Sequence, residues 1–145
     1  MLRGLTKGLG ALLIVAAAIG AAFIMGMRAK YPPLLNAVRK MNRAVMNPRA
    51  MKTAGQPGAY AGVIRHVGRN SGTPYETPIG PFPTDDGFEI ALPYGTSPDW
   101  LRNFVAAGSA VIVHDGVAYS VDQPEVIPAS EAMGNVPPSE QRNIR

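Results

Sequence analysis

The chain has 145 residues, with 14 Lys or Arg, 10 Asp or Glu, two His and no Cys. Without cysteine there are no disulfides, which fits a reducing compartment. The basic balance does not point to nucleic acid, because there is no aromatic interleaving and no binding motif, and the charge is split along the chain. Residues 1–52 carry nine Lys or Arg and no acid, whereas residues 53–145 carry five Arg and all ten acids, a net of −5.

The first element is apolar throughout. Residues 8–27 hold no charged, amide or hydroxyl side chain. Twenty residues at the helical rise span roughly 30 Å, the thickness of a bilayer core. A cleaved signal peptide has a shorter apolar region, and Met25-Gly26-Met27-Arg28 makes a poor cleavage site. Residues 1–30 are therefore expected to form a transmembrane anchor, with membrane lipid as a partner. Arg28, Lys30, Arg39, Lys40, Arg43, Arg49 and Lys52 make the C-terminal flank the more basic one. The positive-inside rule then predicts a single-pass protein of the cell membrane with its C-terminal domain in the cytoplasm.

Residues 31–59 read as a juxtamembrane unit. Pro32-Pro33 separates the first helix from a second helical segment. Leu34, Leu35, Val38, Met41 and Val45 recur at helical steps, opposite Arg39, Lys40 and Arg43. The pattern predicts a basic amphipathic helix over 32–47, ended by Asn47-Pro48 and suited to a membrane surface. Thr53–Ala59 has the composition of a linker.

A globular domain is expected over 60–128, with an irregular tail at 129–145. The strands are read at Tyr60–His66, Pro74–Pro81, Phe88–Leu92, Ala110–His114 and Val117–Val121. The prolines of the second strand argue for an edge. Asp85-Asp86-Gly87 reads as a turn and Asp115-Gly116 as a hairpin turn. One helix interrupts, with Ser97 as N-cap, Pro98 in the first position and Gly108 as its stop. Trp100, Leu101, Phe104 and Val105 supply its apolar face. These elements predict a mostly β fold, a small barrel with one short helix.

Gly68-Arg69-Asn70-Ser71-Gly72 lies between the first two strands. Its glycines permit a tight turn whose bare amides can point at an anion, and Arg69 and Ser71 add donors for phosphate. Taken alone it is an ordinary hairpin loop. His66 and His114 are lone histidines without ligand spacing, so no metal site is expected. Tyr94 offers a phenol beside Gly95, either for a substrate or for packing on Trp100.

Three segments occur in order: Arg65–Pro78, Asp86–Gly95 and Pro98–Asn103. Together they resemble the deazaflavin-dependent nitroreductase and quinone reductase family of actinobacteria. That family shows a Gly-Arg-Lys/Arg-Ser-Gly loop, a Thr/Asn-Pro strand, an Asp-Gly turn and a Trp-x-x-Asn helix. The resemblance implies a split β-barrel that binds coenzyme F-420. It implies that Arg69, Asn70, Ser71 and Gly72 hold the phosphate-bearing tail and that Thr77 and Pro78 lie beneath the ring. Pro93 and Gly95 would border the deazaflavin, Trp100 and Asn103 would close the pocket, and Tyr94 is the candidate catalytic residue. Asn70 departs from the family's Lys or Arg, and Pro93-Tyr94 replaces a frequent Ser-Lys pair.

Two functions are compatible with this pattern. One is a membrane-anchored oxidoreductase passing hydride from reduced deazaflavin to a lipophilic acceptor such as menaquinone. The other is a non-catalytic accessory subunit of a larger membrane complex, its barrel docked on other subunits.

Overall fold

The computed structural model describes residues 2–132. The chain forms two compact units, residues 1–42 and residues 43–145.

The first unit contains helix α1 (Leu2–Arg28) and helix α2 (Pro32–Met41). The Tyr31 amide donates to the Gly26 carbonyl, closing the connection. From Leu12 to Met25 the side chains of α1 are exposed: Leu12 by 73%, Ile14 by 72%, Ile19 by 65% and Phe23 by 48%. Among the described residues no single helix is long and apolar enough to cross a membrane, but the bent pair Leu12–Arg28 with Pro32–Ala50 passes by length and composition. The side chains of residues 1–11, which include the start of the expected span, lie outside the described residues.

The amphipathic helix does not stop at Asn47-Pro48. A π-helical turn, Asn42–Met46, carries the path into helix α3 (Asn47–Ala50). Proline lacks an N–H and its ring crowds the carbonyl one turn back. The wider turn opens the ladder there, and Pro48 falls in the first turn of α3, where proline is tolerated.

The expected linker is also folded. The Gly55 amide donates to the Ala61 carbonyl at 2.7 Å, and the Gly116 amide donates to the Gly55 carbonyl at 2.7 Å. The Gly58 amide donates to the Asp115 carboxylate at 2.6 Å. Residues 53–59 are thus tied to the hairpin they were expected to precede freely.

The second unit is built on strands β1 (Gly62–Val67), β2 (Pro74–Ile79), β3 (Pro81–Pro83), β4 (Phe88–Ile90), β5 (Ser109–His114) and β6 (Val117–Asp122). They form an antiparallel sheet of order β2-β1-β5-β6 and a separate β3-β4 ribbon. Proline-bearing β2 sits at an edge, as its composition predicts. Asp115 (φ 49°) and Gly116 (φ 79°) take the left-handed conformation that a two-residue hairpin requires.

Helix α4 (Asp99–Ala107) covers one face of the sheet and ends at Gly108. Strand alternation puts Ile64 and His66 of β1 on that face, and the register places Ile112 beside Ile64. Ile64, Ile79, Phe104 and Ile112 form the buried core, with Phe88, Ile90, Trp100, Ala110 and Val121 packed around it. Phe88 also meets the Tyr119 ring edge-on at 5.2 Å.

Two expectations are corrected. Among the described residues the strands do not close into a barrel. Strands β3 and β4 are three residues long, and Pro81 and Pro83 remove the donors that would extend the ladder. The mostly β expectation holds only in part: with α1, α2 and α4, the first two of which were expected ahead of the domain, the chain is a mixed helix and antiparallel-sheet fold. A short helix, α5 (Ala129–Ala132), replaces the start of the irregular tail, and residues 133–145 lie outside the described residues.

Candidate functional site

The Gly68–Gly72 loop joins β1 to β2. The Gly68 amide donates to the Thr73 carbonyl at 2.8 Å, and the Gly72 amide donates to the Gly68 carbonyl at 2.8 Å. The Thr73 amide reaches Ser71 Oγ at 3.3 Å. A Cβ at Gly68 would lie 2.5 Å from Ser71 Oγ and 2.9 Å from Tyr75, so both side chains would have to shift to admit one. The amides expected to face an anion are therefore largely turned inward.

A chain of hydrogen bonds ties this loop to α4 and to both strands. Asn103 Oδ1 accepts twice from Arg69, from its amide at 3.1 Å and from Nη1 at 2.8 Å. Asn103 Nδ2 lies 3.1 Å from His66 Nδ1. His66 Nε2 lies 3.1 Å from Thr77 Oγ1. Asn103 is 5% exposed and His66 6%, so leaving either group unpaired would cost its full desolvation. The His66 ring also stacks on Tyr75, its neighbour across the ladder.

Asp99 is the charged end of the cluster. Its Oδ1 accepts from Arg69 at 3.3 Å and from Arg102 at 3.0 Å, and its Oδ2 accepts from Arg43 at 3.1 Å. Partial burial opposes ionisation of Asp99, but its hydrogen bonds to Arg69 and Arg43 and the charge of Arg102 outweigh it. Together they hold the carboxyl below the usual range. Burial lowers the His66 pKa, against an opposing pull from Asp99. Three guanidinium groups around one carboxylate leave a positive surplus at this end of α4.

Asp99 does this instead of Ser97 capping the helix. Pro98 is the N-cap, and no side chain caps it. Residues 99 and 103 stand one turn apart and present a carboxylate and an amide to the same loop. Arg43, read from the sequence as part of a membrane-facing helix, belongs to this cluster.

Of the residues that the resemblance implies, Arg69, Thr77 and Asn103 meet in one bonded chain. Asn70, Ser71 and Gly72 are exposed on the loop, and Pro78 is half-buried in β2. Trp100 packs against the core. Pro93, Tyr94 and Gly95 form a turn closed by the Gly95 amide on the Leu92 carbonyl at 3.0 Å, with no strand there. A shallow cleft lies elsewhere, lined by Ala50, Thr53, Gln56 and Tyr60. The sequence reading missed His66, Asp99 and Arg43. The signal for His66 was its parity with Ile64, two residues earlier on the buried side of β1.

Among the described residues no group of His, Asp or Glu is placed to hold a metal ion. No protein-family model matches this chain, and no curated protein matches it either.

Proposed function

We propose that the chain is a membrane-anchored reductase of the deazaflavin-dependent type, serving a lipophilic acceptor such as a quinone. The observation that carries this reading is the convergence of Arg69, Thr77 and Asn103 on one buried hydrogen-bonded chain beside the loop. The exposed apolar side chains of α1 suit lipid, and the more basic C-terminal flank supports a cytoplasmic second unit in this reading.

The donor set fits an anionic coenzyme. Arg43, Arg69 and Arg102 share one carboxylate, so an added phosphate would meet surplus guanidinium donors. Arg69 and Arg102 would hold the tail, and Trp100 would close the pocket. The coenzyme supplies the hydride, and the protein supplies position and electrostatics. Asn103 fixes the Arg69 fork, so the loop is ordered before any ligand arrives.

A second reading also has support. The Arg69 guanidinium already has partners in Asp99 and Asn103, and three of the loop amides, those of Gly68, Arg69 and Gly72, donate inward. A non-catalytic accessory subunit needs no more than that. Titration of coenzyme F-420 into the full chain in lipid nanodiscs decides, with coenzyme fluorescence as the signal. The reductase reading expects saturable binding that weakens with salt and weakens about tenfold or more in Arg102→Ala. Absence of binding at low salt leaves the accessory subunit.

A further inference from the structure

We infer that His66 is the positioning residue of the Gly68–Gly72 loop, holding it through Asn103, and that a proton on His66 Nδ1 releases Arg69. The lock operates whatever the loop binds.

Hydrogen-bond accounting fixes every proton in the chain. Asn103 Oδ1 accepts from the Arg69 amide and from Arg69 Nη1, so the oxygen end of the amide faces the loop. The Nδ2 end then faces His66 Nδ1. An amide NH2 only donates, so Nδ1 must carry its lone pair. The ring proton therefore sits on Nε2, where it donates to Thr77 Oγ1. One tautomer of neutral histidine satisfies all of these contacts.

Protonation breaks this set at a definite place. Imidazolium has an N–H at both ring nitrogens, so Nδ1–H would face Nδ2–H, donor against donor. Turning the Asn103 amide over relieves His66 but moves the conflict to the loop. The NH2 would then confront the Arg69 amide and guanidinium. In either orientation a buried bond is lost, and Asn103 has no room in water to escape, being 5% exposed.

The groups that face His66 are few. From β2 come Tyr75, stacked on the ring, and Thr77. From α4 come Asn103 and the Asp99 carboxylate, which favours the charged ring. The loop contributes the Arg69 cation, and Arg43 and Arg102 pair with the same Asp99 carboxylate. Burial prevails over Asp99 and keeps the ring neutral below its ordinary value. The lock is therefore closed near neutrality and opens only as pH falls through a folded-state value lower than that of free histidine.

Nitrogen-15 NMR of the full chain in detergent micelles tests this directly, because the chain has two histidines. Long-range proton–nitrogen spectra should show His66 in the Nε2–H form at about pH 7.5. Hydrogen exchange of the Arg69 amide, taken as protection relative to the Ile112 amide, should fall roughly tenfold as His66 takes up its proton in the same acid titration. His66→Gln, which cannot titrate, should lose that pH dependence while the sheet remains intact. An Nδ1–H form of His66, or Arg69 protection that ignores the His66 titration, overturns the proposal. So does an unchanged pH dependence in His66→Gln. Should that variant not fold, the tautomer and the wild-type pH series decide by themselves.

Discussion

Helices α1 and α4 both carry many apolar residues, and they dispose of them in opposite ways. In α4, Phe104 is 7% exposed and packs with Ile64, Ile79 and Ile112 of the sheet, Leu101 is also 7% exposed, and Arg102 and Val105 are exposed. In α1, Leu12, Leu13, Ile14 and Ile19 stay 65–73% exposed. The chain itself accounts for α4, since a one-sided apolar stripe is buried by a sheet it can reach. It does not account for α1. A helix that is apolar all round needs an apolar medium, and none of the described residues supplies one. The proposed membrane anchor rests on this contrast.

Removing a partner from α4 should give the largest effect. Phe104→Ala leaves a cavity against Ile64, Ile79 and Ile112. Such a truncation costs about 3–5 kcal/mol. Denaturant unfolding of the second unit, followed through Trp100, should show a large drop in midpoint. A charge in α1 should act elsewhere. Ile19→Arg in a lipid-buried helix costs roughly 2.5–3.5 kcal/mol of insertion. Alkaline carbonate should extract more of this variant from membranes than of the parent, with the unfolding midpoint of the second unit unchanged. Equal extraction of variant and parent would remove the lipid explanation for α1.

Most of the α4 region was legible in the sequence because its signals are local. The Asp115-Gly116 turn, the edge position of β2 and, apart from the exposed Val105, the apolar face of α4 follow from alternation, turn chemistry and helical spacing. The folding of residues 53–59 was not legible. Its bonds run from Gly55 and Gly58 to Gly116 and Asp115, more than fifty residues away, and no local pattern encodes that pairing. Closure into a barrel also failed as an expectation, since counting strands ignores whether Pro81 and Pro83 can carry a ladder. At the candidate site, Arg69 and Asn103 were singled out by motif. Their bond to one another, and the place of His66 between Asn103 and Thr77, depend on how α4 lies across β1.

Arg69 now carries a different expectation from that of an ordinary hairpin residue. A free loop arginine could be removed without consequence for folding. Here Arg69→Ala removes both a bond to buried Asn103 and a pair with Asp99. It should cost on the order of 1–2 kcal/mol, readable as a lower denaturation midpoint. Asp99 extends this to pH. Its carboxyl is held below the usual range in the folded state, so its contribution is present above about pH 4. That contribution is lost as pH falls through the lowered folded-state value. In Asp99→Asn the acid limb of the stability curve should flatten.

The smallest effect is expected on the sheet face opposite α4. Arg65 and Glu76 stand directly opposite one another in the β1-β2 register and bond at 2.8 Å. Both are about half exposed. Water screens such a pair, and ordering two long side chains offsets part of the attraction, so it contributes about 0.2–1 kcal/mol. A double-mutant cycle with Arg65→Ala and Glu76→Ala isolates the coupling from the loss of each side chain. The coupling energy should fall in that range and shrink as salt rises. A coupling as large as the Arg69→Ala effect would mean that this face is shielded from water, as the α4 face is. It would then have to be covered by something other than the described residues of this chain.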